Sequence, residues 1–233
     1  MSLSFRRLGW ALVAALSLAT AAHAATTVDD LFGAAAIDNL RDVRRIVEDG
    51  ALDTKTLDAH GDTLLIAAIR SDASRVTDFL IARESTDVDA TNVSNETAMM
   101  IAAYRNKKDV VEKLIARGAE VNRTGWTALH YAASVDARDI VALLLEHAAY
   151  IDAESPNRTT PLMMAARGDF AELVRQLIAA GADPTPVNER DLSAAGFARR
   201  ANDGALADWL DAQSAAWRAK YGTSSSPRSS PAR

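Results

Sequence analysis

An all-α solenoid of about six helix-turn-helix units with hairpin loops is the fold class this chain predicts, on two observations. A short pattern, Thr-Pro-Leu-x-x-Ala-Ala or a worn copy of it, recurs at a spacing close to 33 residues. A second half-motif, an apolar stretch ending in Gly-Ala, follows it in constant phase. A fixed period of this size marks stacked repeats, each too small to bury its own apolar face.

The first half-motif is clearest from Thr127 (Thr-Ala-Leu-His-Tyr-Ala-Ala) and Thr160 (Thr-Pro-Leu-Met-Met-Ala-Ala), and weaker from Thr63 and Thr97. The steps between these four threonines are 34, 30 and 33 residues. Ser193 continues the phase forward, and Asp29, 34 residues before Thr63, continues it backward ahead of Leu31, Ala34 and Ala35. The second half-motif reads Asp109-Val-Val-Glu-Lys-Leu-Ile-Ala-Arg-Gly118-Ala119 in one unit and Glu172-Leu-Val-Arg-Gln-Leu-Ile-Ala-Ala-Gly181-Ala182 in another. The two halves together resemble the ankyrin repeat, a hairpin loop followed by two short antiparallel helices. The resemblance covers roughly residues 27–220, in units near 27–57, 58–91, 92–122, 123–154, 155–187 and 188–221.

Each residue type has a physical task. Thr or Ser ahead of a helix accepts a bond from an unpaired first-turn amide, and Pro161 at the next position loses nothing by lacking an N–H. Alanine pairs let the first helices lie close together, while Leu, Val and Ile at three- and four-residue spacing form the packing stripe of the second helices. Gly50, Gly118 and Gly181 stand where the chain leaves the second helix and needs a positive φ. Ala148 takes that place in the fourth unit and Glu84 falls near it in the second. Each departure costs about 1 kcal/mol if the backbone is unchanged.

The ends differ from the middle. Arg6 and Arg7, an apolar run from Leu8 to about Ala19, and Ala22-His23-Ala24 read as a secretory signal peptide over residues 1–24, cut after Ala24. The expected destination is the periplasm or the outside. The absence of Cys fits export without disulfides, stability coming from stacking alone. Gly204 to Tyr221 reads as one long helix whose Trp209, with Trp217, closes the open end of the stack. Residues 222–233, made of Gly, Thr, Ser, Pro, Ala and Arg, read as a disordered tail closing off the repeat domain 25–221.

Charge and inventory narrow the function. The chain carries a net −5, and removing Arg6, Arg7, Arg228 and Arg233 leaves the repeat body at −9. So acidic a body lacks the electrostatic footprint of a nucleic-acid binder, and no nucleic acid is expected as a partner. No further apolar run reaches spanning length, so no membrane association is expected once the signal is gone. No cysteine nucleophile, Gly-x-Ser-x-Gly, His-Glu-x-x-His or phosphate loop is present, so no catalytic residue, metal or cofactor is assigned. His60 and His147 stand about two and a half units apart and cannot share a metal. The resemblance gives His130 a structural role, bonding to backbone and steadying the loop.

What remains is a protein partner, bound by a monomer through the concave face that ankyrin domains commonly use. Carried over position by position, that face includes Asp62, Glu96, Trp126, Thr159 and Leu192 ahead of the caps. After the alanine pairs it includes Arg70, Tyr104 with Arg105, Ser134, Arg167 and Arg200. Tyr104 and Trp126 are aromatics the repeat core does not require, and interface energy concentrates in Trp, Tyr and Arg. Trp126 also admits a second reading, since the 30-residue step leaves its loop three residues short and the ring can cover the defect. Arg70, Arg105, Arg167 and Arg200 form a candidate stripe for an acidic partner. A secreted effector, or an accessory or protective factor for a periplasmic enzyme, is the alternative role. An enzyme with an unrecognised site is the remotest.

Overall fold

The computed structural model describes residues 27–222. The leader at 1–24 and the tail beyond Gly222 lie outside the described residues. Among the described residues twelve helices fall into six antiparallel pairs: α1 (Val28–Ala36) with α2 (Leu40–Glu48), α3 (Leu64–Arg70) with α4 (Ser74–Ala82), α5 (Ala98–Tyr104) with α6 (Lys108–Ala116), α7 (Ala128–Ala133) with α8 (Arg138–Glu146), α9 (Pro161–Arg167) with α10 (Ala171–Ala179), and α11 (Ala194–Arg200) with α12 (Gly204–Tyr221). Among the described residues there is no strand, only isolated antiparallel bridges Leu57–Thr63 and Thr91–Thr97 at the base of two hairpins. No described helix is long and apolar enough to cross a membrane.

The first helices start where the repeat pattern says they do. The hydroxyls of Thr63, Thr97 and Thr160 each accept an amide N–H from three residues on, at 3.3 Å, and Ser193 does so at 3.2 Å. Pro161 occupies the first helical position of α9. Unit one keeps the sequence phase, since Asp38 lies nine residues after Asp29 as Asp72 does after Thr63, but its helix begins earlier and is capped by Thr27. The Thr27 hydroxyl accepts the Asp30 amide at 3.1 Å and the Asp30 carboxylate accepts the Thr27 amide at 2.9 Å. Asp29 then lies in the first turn, where the helix dipole favours a negative charge.

Second helices bury one stripe each: Val43, Ile46 and Val47 in α2, Val111 and Leu114 in α6, Ile140, Val141 and Leu144 in α8, Leu173, Val174 and Leu177 in α10. The alanine pairs 102–103, 132–133 and 165–166 are wholly buried, so neighbouring first helices meet backbone to backbone. Asp38, Asp72, Asn106, Asp136, Asp169 and Asn202 form a feature that sequence reading missed. One stands in each interhelix turn with φ between 54° and 66°. Asp and Asn tolerate the left-handed region better than other non-glycine residues, which suits this turn.

The exits from the second helices show where the units differ. Gly50, Gly118 and Gly181 have φ of 70°, 88° and 98°, and Ala148 adopts φ 59° in the same place. Asn122 brackets the strained alanine: its amide donates to the Ala148 carbonyl at 2.8 Å and its oxygen accepts the Tyr150 N–H at 2.8 Å. Glu84 departs from expectation, having no positive φ. After α4 the backbone at Arg83 is extended instead, with φ −80° and ψ 120°. The Arg117 guanidinium takes the loose carbonyls of Ile81, Arg83 and Glu84 at 3.0 to 3.2 Å. The unit thus avoids the left-handed turn and its cost.

At the closing end, α12 buries Leu206, Ala207, Leu210 and Ser214, and the Ser214 hydroxyl donates to the Pro184 carbonyl at 3.0 Å. Trp209 packs at the core edge under the Arg175 guanidinium, 5.1 Å from the ring centre. Trp217 does not close the stack. One turn beyond Ser214, it pairs with Tyr221 at 4.6 Å between centroids.

Because an alanine held left-handed costs more than glycine does, Ala148→Gly is expected to stabilise the domain by about 1 kcal/mol. Urea unfolding followed by helical circular dichroism reads the shift; no gain would mean that Asn122 already relieves the strain.

Candidate interaction groove

Positions counted from each cap place three rows of side chains along one face of the stack. Immediately before the caps stand Asp62, Glu96, Trp126, Thr159 and Leu192. Four residues after them stand Ala67, Ile101, Tyr131, Met164 and Phe197, of which all but Ile101 are half-buried. Seven after them stand Arg70, Tyr104, Ser134, Arg167 and Arg200. The arginine stripe drawn from sequence is therefore interrupted. Tyr104, not Arg105, shares the register of Arg70, and Ser134 follows it. Arg105 is the C-cap of α5 and turns to Asp72 at 2.8 Å, which Lys107 also pairs at 2.7 Å. The Lys107 hydrogen bond, with both cations adding to it, holds the Asp72 carboxyl below its usual range.

The groove is polar and internally satisfied at its second and third units. Arg70 donates to Asp62 at 2.8 Å and to Glu96 at 2.7 Å, tying two units together. The buried Asn92 amide donates to the same two carboxylates at 2.7 and 2.8 Å, and the Tyr131 hydroxyl donates to Glu96 at 2.8 Å. Burial first, then the carboxylate of Glu96, push the Tyr131 phenol pKa upward, so it stays a donor. Asn92, Glu96 and Tyr131 carry this network, and the sequence did not place Asn92 or Tyr131 on the interaction face. Their signal was available in the register, since both sit at fixed distances from a cap.

Above the helices, side-chain oxygens tie the complete hairpins, with Ser155 and Asn157 sharing the Thr159 amide of the fifth unit at 3.0 and 3.3 Å. Asp58 accepts the amides of His60 and Asp62, Asn92 those of Ser94 and Glu96, and Asn188 those of Arg190 and Leu192, all within 2.8 to 3.2 Å. Neighbouring tips join by backbone bonds, Val93 N–H to the Gly61 carbonyl and Glu189 N–H to the Asn157 carbonyl, each at 3.1 Å. The 30-residue step removes this tip from the fourth unit, where Gly125 and Trp126 lead straight to Thr127. Pro156 stands where Val93 and Glu189 stand in their hairpins. Having no N–H, it forgoes nothing by facing a missing neighbour.

The aromatic residues gather at that shortened loop. Trp126 is half-buried and meets His130 edge-on at 5.2 Å, while Tyr104, 52% exposed, meets Tyr131 edge-on at 6.3 Å. Trp126 thus covers the defect with part of its ring and leaves the rest accessible. His130 is fully buried. Its Nδ1 accepts the Thr127 amide at 3.2 Å, so Nε2 carries the proton and donates to the Thr159 carbonyl at 2.9 Å. Burial lowers its pKa to about 4, because a charged imidazolium would be desolvated and would turn a proton toward the Thr127 N–H. Arg167 and Arg200 are exposed, and neither has a partner among the described residues. His60 and His147 are both exposed and in different units. Among the described residues no three His, Asp or Glu side chains gather as a metal site.

Comparison with known proteins agrees with this architecture. The family profile described as ankyrin repeats (3 copies) matches residues 31–125, 66–156 and 121–188. The neurogenic locus notch homolog protein 1 of Xenopus tropicalis is 37% identical over 125 residues, 52% of this chain and 5% of that protein. The nuclear factor NF-kappa-B p105 subunit of Gallus gallus is 32% identical over 176 residues, 72% of this chain and 16% of that protein. The chain thus spans a small fraction of these relatives. A chain in the solved complex of a predatory endopeptidase from Bdellovibrio bacteriovorus with an immunity protein superposes with a TM-score of 0.68 at 24% identity. The match covers 80% of this chain and 99% of that one, and shows a shared fold.

Two stability measurements probe the groove. The folded-state pKa of His130 lies below its unfolded value near 6.5, so the unfolded chain binds the proton more tightly and stability is lost as pH falls from about 6.5 toward 4. At full effect the loss is about 3 kcal/mol. His130→Gln, which cannot titrate, is expected to show a flatter urea midpoint across that window; equal slopes would contradict the assignment. Arg70→Ala, which strips Asp62 and Glu96 of their common cation, is expected to cost about 1–2 kcal/mol in the same assay.

Proposed function

The chain belongs to the ankyrin-repeat family, and from that premise we propose that it is a non-catalytic interaction scaffold that binds a partner protein through its concave groove. The observation that carries this reading is the exposed Tyr104 beside Tyr131, with the half-buried Trp126 in the next unit. The core requires neither Tyr104 nor Trp126 to be so large, and aromatic residues of this kind dominate binding energy where they are partly presented. Repeat stacking holds them on a stiff support, so little ordering entropy is lost when a partner docks. The solved complex with the endopeptidase contains a chain of nearly the same extent as these repeats, which supports an array of this length acting as a stand-alone module.

The place of action completes the proposal. The Arg6-Arg7 start, the apolar run to Ala19 and the Ala22-His23-Ala24 site support export to the periplasm. The acidic body supports a protein partner over nucleic acid. A secreted effector would share the scaffold and differ only in address.

Two measurements test this. Tyr104→Ala combined with Trp126→Ala is expected to weaken partner binding at least tenfold while helical content is kept; unchanged affinity would remove the groove from consideration. A reporter fused after Ala24 is expected to be active in the periplasm and absent from the medium, whereas activity in the medium would favour the effector reading.

A further inference from the structure

Arg70 shows what an arginine at the end of a first helix does in this array. From seven residues past its cap, the guanidinium reaches back to the residue ahead of its own cap, Asp62, and to the one ahead of the next, Glu96. The last two units repeat the arginine without the acids. Arg167 and Arg200 stand seven residues past Thr160 and Ser193, but the places ahead of those caps hold Thr159 and Leu192. Neither guanidinium has a hydrogen bond or ion pair among the described residues. Arg199, one residue earlier, is by contrast held by Asp208 and Asp211.

Two open cations stand out in a repeat body of net −9. Between them the floor is apolar, with Met164, Leu192 and Phe197 half-buried. Resting on the groove-binding reading above, we propose that the fifth and sixth units dock an acidic segment of the partner. Its carboxylates stand at Arg167 and Arg200 where Asp62 and Glu96 stand at Arg70, and an apolar side chain between them lies on Met164 and Phe197. Adjacent first helices lie about 8–10 Å apart, which a segment in the polyproline-II conformation spans in about three residues at a rise of about 3.1 Å each, with positions three apart on one face. The occupant therefore carries two acids three positions apart with an apolar residue between them. An arginine fork suits a carboxylate's two oxygens.

The experiment uses the full chain in the cells it comes from. The photocrosslinker p-benzoylphenylalanine replaces Met164, Phe197 or Tyr104 singly, and the adducts are digested and sequenced. The expected result is an adduct from one protein at Met164 and Phe197, on a segment with the predicted acid spacing. A synthetic peptide of that segment is then titrated calorimetrically against the wild type and the Arg167→Glu/Arg200→Glu double variant. Binding is expected to fall at least tenfold in the variant and to return when the peptide's two acids are exchanged for lysine. If the charge reversal unfolds the domain, Arg167→Gln/Arg200→Gln replaces it, with the same loss expected. Adducts only at Tyr104 would overturn this site and leave the scaffold standing, and adducts at none of the three would sink both. A nucleic acid or a second copy of this chain crosslinked at Met164 and Phe197, or a peptide indifferent to the charge exchange, would also overturn the proposal.

Discussion

No first helix of this protein could hold its shape alone. They span six to nine residues, and isolated helices shorter than about 12–15 residues are marginal in water. Contact between neighbouring units therefore supplies the order that propensity cannot. That contact depends on the alanine pairs, which carry no side chain long enough to keep the backbones apart. Every other feature follows from the resulting close and constant spacing. It lets Arg70 reach acids of two units, and it lets His130 in the fourth unit meet the Thr159 carbonyl of the fifth.

Polar groups at the unit boundaries convert loose stacking into fixed register. The Asp and Asn residues of the interhelix turns hold a left-handed backbone, and two of them also bond forward: Asp38 accepts the Val76 amide at 2.9 Å while pairing Arg75, and Asp72 pairs Arg105 and Lys107. These exposed pairs add little stability singly. Their value lies in direction, because each is made only when two units sit in one relative position. Buried members such as His130 and Asn92 penalise any other arrangement more strongly, since a slip would leave them without partners.

The array is also not uniform along its length. Its early units close their charges on themselves through Asp62, Arg70, Asn92 and Glu96. The fourth loses its hairpin tip and presents aromatic surface. The last two keep arginines without acids. On the proposed reading, a satisfied half, an aromatic middle and an open cationic end would let one stiff fold address a partner asymmetrically, with direction built into the stack.

Fold and unit phase were legible in the residues because caps, alanine pairs and exit glycines act within a few positions of themselves. Thr63, Thr97, Thr160 and Ser193 cap as their local pattern says, and the 30-residue step announced the shortened loop. Asp29 held the unit phase but not the cap, which passes two residues upstream to the reciprocal pair of Thr27 and Asp30. Glu84 and Trp217 misled for another reason: Arg117 lies 33 residues after Glu84, and the overhang of α12 follows from where its buried stripe ends. The candidate groove residues could be named from the sequence, but not the ion pairs that some of them make. By itself the sequence determined an acidic ankyrin array with arginines and aromatics on one face. Which arginines are neutralised, which ring covers a defect and which rows align were decided only by tertiary structure, because each depends on side chains brought together from neighbouring units.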